Sequence, residues 1–206
     1  MHIELEDIFG PGGILDQHLE QYEYRPSQLD MAEAVLQAIR DREHLCAEAG
    51  TGTGKTLAYL VPALAADGRV VVSTATRNLQ EQLISKDIPL IRDTILPSLK
   101  AVCMKGRPNY LCLFRLERIS KQGRIFSDDP VTQDLERLRK WSEITETGDR
   151  AELEWLSDSS ELWDSVDARS EICMGSRCGH FEDCFITRLR LEAVSVSYTH
   201  LRAHET

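Results

Sequence analysis

The sequence predicts an α/β fold, a parallel sheet flanked by helices, followed by a mostly helical insertion that carries cysteines. Three features indicate this fold: a glycine-rich run that ends in Gly54-Lys55-Thr56, a β-branched run over 69–74, and three cysteines near residue 180. Up to about residue 104, segments with strand and helix patterns alternate, which is typical of a parallel sheet. Ligands of such sheets bind at the carboxyl ends of the strands.

Composition bounds the class of protein. The 206 residues suffice for one or two domains, and 42% hydrophobic with 28% charged residues excludes wholesale disorder. We expect no transmembrane helix and no secretory signal, because no run of 18 apolar residues occurs and the first residues are acidic. Six cysteines in a chain that lacks a secretory signal peptide indicate the reducing cytoplasm. In that compartment, cysteine clusters hold metals more often than they form disulfides.

A formal net charge of −10 argues at first against binding to nucleic acid. The charge is unevenly distributed, since residues 126–172 contain 14 acidic and 5 basic side chains. The rest of the chain is close to neutral. The overall charge therefore does not exclude DNA binding by the part outside this acidic segment.

The run over 48–56 reads E-A-G-T-G-T-G-K-T and matches a phosphate-binding loop with alanine in the first glycine position. Glycines let the backbone approach a polyphosphate closely, and the N–H groups of a following helix N-terminus favour an anion. Lys55 is predicted to reach the β- and γ-phosphates, and the Thr56 hydroxyl to ligate Mg²⁺. The residues predicted to bind ATP here are Ala49, Gly50, Thr51, Gly52, Thr53, Gly54, Lys55 and Thr56.

The flanking residues support this interpretation. Leu45–Ala47 is short and apolar and predicts a buried strand, and Leu57–Val61 continues as an apolar helix. Strand, glycine-rich loop and helix is the order that the motif requires. A flexible loop that merely contains a lysine is the weaker alternative.

A helix is predicted just upstream. Ser27 is expected to cap it, and Leu29, Ala32, Leu36 and Ile39 recur at helical spacing to give a buried face. Arg25 and Gln28 lie at its start, where the Gln28 amide is predicted to bind one edge of adenine. A surface glutamine beside a capping turn is the alternative.

The run over 69–74 is β-branched and predicts a buried parallel strand. Ser73 and Thr74 lie at its carboxyl end, before a helical stretch over about 78–85. Short hydroxyl side chains at such a position suit contacts to nucleic-acid phosphates, although an ordinary helix cap fits equally well.

Cys173, Cys178 and Cys184 fall within twelve residues in a turn-prone stretch, and Cys112 lies 61 positions before the first of them. Four such thiolates can hold zinc or an iron–sulfur cluster. The paired C-x2-C knuckles of zinc ribbons are absent, which favours a cluster, while His180 keeps zinc open. Cys46 and Cys103 lie in predicted strands and are expected to be core residues. Helix faces in the acidic segment are predicted at Leu135, Leu138, Trp141, Leu153, Leu156 and Trp163.

Together these stretches resemble the XPD/DinG family of superfamily 2 DNA helicases, in its bacterial DinG-like branch. The matching stretches are Arg25-Pro26-Ser27-Gln28 (the Q motif), 48–56 (motif I), and Ser73–Thr76 with Leu79 and Gln82 (motif Ia). Lys105–Cys112 resembles the start of the family's iron–sulfur insertion, and the three later cysteines its end. The likeness covers about 20–194.

The resemblance implies a partial RecA-like P-loop NTPase domain and an iron–sulfur insertion with a 4Fe-4S cluster on the four cysteines. It also implies ATP- and Mg²⁺-dependent unwinding with 5′ to 3′ polarity in DNA repair or replication. Single-stranded or forked DNA is the expected partner, with backbone contacts from Ser73, Thr74 and Arg107. We expect a monomer that does not bind membranes.

The implied domains are an arm over 1–20, motor domain 1 over 21–104, the iron–sulfur domain over 105–194 and a tail over 195–206. The family's D-E-A-H box and second motor domain are absent from the sequence. The chain alone is therefore expected to bind nucleotide weakly and not to hydrolyse ATP at a useful rate. The tail resembles translated sequencing-adapter read-through and is expected to be disordered, with a natural flexible tail as the alternative. The alternative function is a nucleotide-binding P-loop module with a zinc-stabilised insertion.

Overall fold

A computed structural model of the chain describes residues 4–66, 68–122, 130–157, 159–196 and 199–203. It divides into two compact units. The first runs through Cys103 and includes Val196 and the strand that follows it, and the second runs from Met104 to Ser195. The sequence predicts a boundary between residues 104 and 105.

The first unit contains six α-helices and three strands among the described residues. The helices are α1 (Leu5–Phe9), α2 (Ile14–His18), α3 (Pro26–Asp41), α4 (Lys55–Ala65), α5 (Arg77–Gln82) and α6 (Ile88–Thr94), with a π-helix at Leu83–Asp87 between α5 and α6. Its strands are β1 (Val70–Thr74), β2 (Ala101–Met104), which ends at the first residue of the second unit, and β3 (Thr199–Ala203).

The second unit is helical. Its helices are α7 (Leu113–Gln122), α8 (Pro130–Ser142), α9 (Glu161–Val166) and α10 (Phe185–Ser195). Short 3₁₀ helices lie at Arg107–Asn109, Arg150–Glu152, Ser170–Ile172 and Gly175–Arg177. No helix in the described ranges is long and apolar enough to cross a membrane.

The three strands form one sheet in the order β1-β3-β2. A strand forms over Val70–Thr74 as predicted, and its parallel partner is β3, a segment that was expected to be disordered. The prediction that both faces of this strand are buried was wrong. Val70 and Val72 pack against the core, whereas Val71 is 64% exposed. Side chains alternate between the faces of a strand, and only one face of β1 is covered.

The strand predicted at Leu45–Ala47 does not form, and the chain is irregular from residue 43 to residue 50. Leu45 is 44% exposed, and Cys46 is exposed as well, so the prediction of a core thiol at Cys46 was wrong. A strand needs a neighbour that satisfies its backbone groups, and in the described part of the chain residues 45–47 pair with neither β1 nor any other strand. Cys103, by contrast, lies in β2 and is partly buried.

The segment over 195–206, which was expected to be disordered, contains a strand. α10 extends to Ser195, Val196 is buried, and Thr199–Ala203 forms β3 rather than a disordered segment. Parallel pairing with β1 satisfies the backbone of this segment, which the sequence pattern alone does not indicate. Residues 197–198 and 204–206 lie outside the described residues.

The core of the first unit forms between α3 and α4 and the helices around them. α3 begins two residues earlier than predicted, with Pro26 in its first turn and Arg25 in place of Ser27 as N-cap, because proline suits the first helical position. Ala32 is fully buried, while Leu29 and Leu36 pack on the core only partly. Ile39, at the end of the predicted face, is 38% exposed.

The acidic segment supplies much of the core of the second unit. Leu138, Leu153, Leu156 and Trp163 are buried there, and Leu135 and Trp141 pack against them. The predicted helix faces are confirmed for Leu135, Leu138 and Trp141 on α8 and for Trp163 on α9. Leu153 and Leu156 are buried but lie outside any helix, so the helix prediction was wrong there. The Trp163 indole also donates to the Pro108 carbonyl oxygen over 2.7 Å, which connects the segment to the stretch before Cys112.

Candidate functional site

The phosphate loop turns through two glycines with left-handed backbone angles. Gly52 has φ of 79°, and Gly54 has φ of 76° and is the N-cap of α4. Residues with a Cβ rarely adopt such angles, so the sequence places glycine where the turn needs it. The loop thus leads directly to the N-terminus of an eleven-residue helix, whose first N–H groups have no partner within the helix.

The Lys55 ammonium lies over the loop. Its Nζ donates to the carbonyl oxygen of Ala49 over 2.8 Å and also to that of Gly50. The Thr53 hydroxyl donates to the Gly50 carbonyl over 3.0 Å. The structure therefore brings the predicted loop residues and the predicted lysine together around one small turn.

Helix α3 reaches the same loop from its N-terminal end. Gln28 is 5% exposed, and its side-chain amide donates to the Gly54 carbonyl oxygen over 3.0 Å. The Arg25 guanidinium donates to the Gly52 carbonyl and pairs with Glu23 over 2.8 Å. The sequence predicts both residues near the nucleotide, but their direct contacts with the loop backbone carry no sequence signal.

Three residues beyond Thr56, the structure shows a polar group that the sequence analysis missed. Burial raises the pKa of Tyr59, and a hydrogen bond with the Thr56 side chain opposes that rise. Burial also raises the pKa of Asp87, whose carboxylate accepts from Gln82 Nε2 over 3.0 Å. The Thr56 hydroxyl, the predicted Mg²⁺ ligand, therefore already has Tyr59 as a hydrogen-bond partner. The spacing of the two residues on α4, three positions apart, was the available sequence signal.

The end of β1 shows a helix cap. Thr76 is the N-cap of α5, and its hydroxyl accepts from the Leu79 N–H over 3.3 Å, as the capping alternative predicts. Ser73 is exposed. Thr74 is 4% exposed, and its hydroxyl lies 3.5 Å from the Thr76 carbonyl oxygen, so it does not face solvent.

In the second unit, the stretch that ends at Cys112 lies antiparallel to the stretch that follows α9. The Cys112 N–H donates to the Val166 carbonyl over 2.8 Å, and the Ala168 N–H donates to the Tyr110 carbonyl over 2.8 Å. Cys112 and Cys184 both pack against one small buried cluster, formed by Tyr110, Ala168 and Ile186.

The thiols influence one another. Burial raises the pKa of Cys112 most strongly, and the nearby Cys184 and Cys178 raise it further. The pKa of Cys173 is lowered, chiefly by a backbone hydrogen bond from Gly175 and also by the Arg107 side chain. Arg107 Nε additionally donates to the Ala168 carbonyl over 2.8 Å, so this residue lies beside the cysteines.

The donor chemistry of the site fits a metal centre. All six cysteines of the chain are free thiols. Within the residues described, no three Cys, His, Asp or Glu side chains converge on one ion position. A closed zinc site would hold its thiolates about 2.3 Å from a single ion. Four free thiols are the ligand set of such a zinc site and also of a multi-iron cluster.

His180, which made zinc an alternative to an iron–sulfur cluster, hydrogen-bonds to a carboxylate and not to the cysteine site. Its Nε2 lies 2.8 Å from Oε2 of Glu117 on α7. Hydrogen bonds from Lys121 and then from His180 lower the pKa of the Glu117 carboxyl to about 2. The imidazole therefore pairs with a carboxylate on the outside of the unit.

The phosphate loop, Arg25 and Gln28 all fall inside one match to known proteins, since residues 25–108 match the DEAD/DEAH box helicase family. This part of the chain is similar to that helicase family. A helicase domain of this kind implies a RecA-like fold, in agreement with the predicted fold class.

Most of the chain also resembles individual helicases. It is 37% identical over 201 residues to the ATP-dependent DNA helicase YoaA of Haemophilus influenzae, a match that covers 98% of this chain and 31% of the relative. It is 38% identical over 202 residues to YoaA of Escherichia coli, covering 97% and 31%. It is 40% identical over 188 residues to the ATP-dependent helicase DinG of Mycobacterium tuberculosis, covering 81% and 28%.

The chain thus spans about a third of the length of the relatives that it matches. The Haemophilus match reaches into residues 195–206, beyond Val194, where the sequence predicts that the family likeness ends.

Proposed function

We propose that this chain is the N-terminal part of an ATP-dependent DNA helicase that moves 5′ to 3′ and acts in DNA repair or replication. The main support is the phosphate loop, whose backbone carbonyls accept hydrogen bonds from Lys55, Arg25 and Gln28. This loop lies within a segment that matches a helicase family. The resemblance of most of the chain to DinG and YoaA helicases supports the proposal.

In the proposed enzyme the loop binds the phosphates of ATP. The backbone N–H groups of Gly50–Thr56 face the polyphosphate, and the N-terminus of α4 adds its favourable dipole. Lys55 exchanges its contacts with the loop carbonyls for contacts with the β- and γ-phosphates, and Thr56 ligates Mg²⁺. Gln28 and Arg25 hold the loop carbonyls and place the remaining polar groups of the Gln28 amide at the adenine edge.

The DNA strand is proposed to contact residues at the end of β1 and beside the cysteines. Ser73 is exposed and can donate to a backbone phosphate. Arg107 carries the positive charge that such a contact uses, although its Nε is occupied by Ala168. Thr74 was predicted to take part, but its burial in this structure disfavours that role.

We further propose that Cys112, Cys173, Cys178 and Cys184 hold a 4Fe-4S cluster. The support is the ligand set itself, four free thiols, with Cys178 and Cys184 near enough to Cys112 to raise its pKa. When bound, such a cluster would fix the four chain segments together, without redox chemistry in unwinding.

The chain alone is proposed to bind nucleotide and not to turn it over. No D-E-A-H box occurs in the sequence, and in the family this box supplies the groups that hold Mg²⁺ and position the attacking water. Stabilisation of the transferred phosphoryl group is then incomplete.

The deciding experiment uses the full-length protein and forked DNA. We expect ATP hydrolysis that depends on single-stranded DNA, and displacement of duplexes that carry a 5′ tail but not of those that carry a 3′ tail. Lys55→Ala should lower hydrolysis by several orders of magnitude. Near-normal hydrolysis by that variant, or no displacement by the intact enzyme, would refute the proposal.

Elemental analysis of anaerobically purified protein tests the cluster separately. Iron and acid-labile sulfide are expected, together with a brown colour that Cys112→Ser abolishes. Colourless protein with stoichiometric zinc would instead support the nucleotide-binding module with a zinc-stabilised insertion.

A further inference from the structure

Gly148, in the middle of the acidic segment, is buried and has a left-handed backbone conformation with φ of 65°. Its N–H donates to the Thr145 hydroxyl over 2.9 Å. Glu152 accepts hydrogen bonds from the hydroxyls of Thr145 and Thr147, so the turn is tied on both sides of the glycine.

One contact of Gly148 leads to Cys112. The Gly148 carbonyl oxygen accepts from the Leu111 N–H over 2.9 Å. The next N–H along the chain, that of Cys112, donates to Val166 over 2.8 Å. Two carbonyls from distant parts of the acidic segment therefore hold the backbone on which Cys112 stands.

A second contact of Gly148 leads to Cys184. The ring of Phe185, the residue directly after Cys184, lies against the Cα of Gly148. A Cβ at position 148 would come within 2.4 Å of both Cγ and Cδ2 of that ring, a distance that real Cβ contacts do not show. Phe185 is 5% exposed and packs in the core, so the ring has little room to move away.

One residue thus touches the chain neighbours of two cysteines that are 72 positions apart in the sequence. We propose that Gly148 is a positioning residue that sets the separation of the Cys112 and Cys184 thiols. The acidic segment is then a scaffold for the cysteine site, in addition to being the long connection between the first cysteine and the other three. This inference adds a residue to the proposed cluster site. It depends on the cluster proposal only in the experiment that measures iron.

Gly148→Ala is the direct test, with Gly12→Ala as the matched control. Gly12 has a similar positive φ of 77°, but a Cβ there meets no atom within 4 Å. Both variants therefore carry the same kind of backbone strain, and only Gly148→Ala adds a collision. In full-length chains reconstituted anaerobically with ferrous iron and sulfide, we expect Gly148→Ala to lose iron severalfold and Gly12→Ala to match the parent.

A second measurement reports the thiols without any metal. With Cys46, Cys103, Cys173 and Cys178 replaced by serine, dibromobimane becomes fluorescent only when it bridges Cys112 and Cys184. We expect Gly148→Ala to lower the yield of bridging severalfold. If the parent bridges its thiols but takes up no iron, the cluster proposal fails while the positioning role of Gly148 still stands.

Rescue separates positioning from general damage. Trimming the ring with Phe185→Leu in the Gly148→Ala background removes the collision and leaves the backbone strain, so bridging and iron content should recover in part. Gly148→Ala behaving like Gly12→Ala, or a double variant no better than Gly148→Ala, would overturn the inference. If Gly148→Ala does not fold, Phe185→Leu alone should still lower bridging, and an unchanged yield would overturn it equally.

Discussion

The side-chain amide of Gln28 donates to the carbonyl oxygen of Gly54, with 3.0 Å between Nε2 and O. Contact at this point is close, since a Cβ on Gly54 would lie 2.2 Å from the same Nε2. Helix α3 therefore closes on the phosphate loop at a residue that must be glycine for two reasons, its φ of 76° and the absence of space. The conformation of the loop depends on Gln28 as well as on its own sequence.

Gln28→Ala should weaken nucleotide binding even though the loop itself is unchanged. The substitution removes one of two hydrogen bonds to the Gly54 carbonyl, which keeps its bond from the Ala58 N–H over 3.2 Å. The loss is about 1 kcal/mol, which corresponds to roughly a fivefold higher Kd for ATP. Titration with a fluorescent ATP analogue measures the change. Gln37→Ala is the matched control, because Gln37 lies on the same helix and donates only to exposed Asp41. Equal Kd values for the two variants would contradict the prediction.

Asp167 is expected to be the most sensitive charged residue of the second unit. Its carboxylate is 1% exposed and lies 2.5 Å from Arg115 and 2.6 Å from Arg169. Asp167→Asn removes the charge and leaves the mostly buried Arg115 without its partner, which should destabilise the unit by about 3 kcal/mol.

Urea unfolding followed by tryptophan fluorescence measures this loss, because all three tryptophans lie in the second unit. Asp134→Asn serves as the control: Asp134 pairs with Arg137 at 3.7 Å and both side chains are largely exposed. Its effect should stay within about 0.5 kcal/mol. A similar loss for both variants would mean that burial of the Asp167 pair contributes nothing.

The contribution of Asp87 to the stability of the fold is expected to depend on pH. Burial raises the pKa of its carboxyl above the unfolded value, so folding favours the protonated form. The stability that this carboxyl contributes is present below the unfolded pKa and is lost as the pH rises through the folded pKa. At neutral pH, Asp87→Asn should therefore raise the melting temperature, and the Asn side chain can still accept from Gln82.

Thermal unfolding monitored by circular dichroism from pH 7 down to pH 4 measures this difference. The advantage of Asp87→Asn over the parent should shrink as the pH falls. Asp41→Asn, which removes an exposed carboxylate that also accepts from a glutamine, is the control. An advantage that stays constant with pH would show that ionisation of Asp87 is not its cause.

Local features of the site were predictable from the sequence. The loop glycines, Lys55 and the start of α4 follow from a short motif, because the glycines and the helix N-terminus act within a few residues of one another. Heptad-like spacing likewise identified Leu138 and Trp163 as packing positions. These signals depend on neighbours along the chain, which a sequence shows directly.

Contacts between distant residues were not predictable. Leu45–Ala47 has a strand's composition but remains irregular, since strand formation depends on which segment pairs with β1. The contact of Gln28 with Gly54 joins residues 26 apart, and that of Gly148 with Phe185 joins residues further apart still. A buried glutamine and a glycine under an aromatic ring have no pattern of their own, so only the structure reveals them.

Arg107 raises the question of whether it contacts DNA or holds the cysteine site. Its guanidinium donates to the Ala168 carbonyl and contributes to the lowered pKa of Cys173, so it already has structural partners. We expect Arg107→Ala to lower iron retention after anaerobic reconstitution, because Cys173 loses a neighbouring donor. We also expect weaker binding of single-stranded DNA by the full-length enzyme, with a salt dependence whose slope falls by about one.

Two further variants, Arg107→Lys and a control at a distant arginine, distinguish DNA contact from support of the cysteine site. Lysine keeps the charge for a phosphate but lacks the planar fork of the guanidinium, so DNA binding should survive while iron retention falls. Arg137→Ala removes an exposed arginine that stacks on Trp155, and it should leave both measurements unchanged. A normal salt slope for Arg107→Ala together with low iron would assign the residue to the cysteine site alone. Normal iron with a reduced slope would assign it to DNA alone, since the measurements respond to different atoms of one side chain.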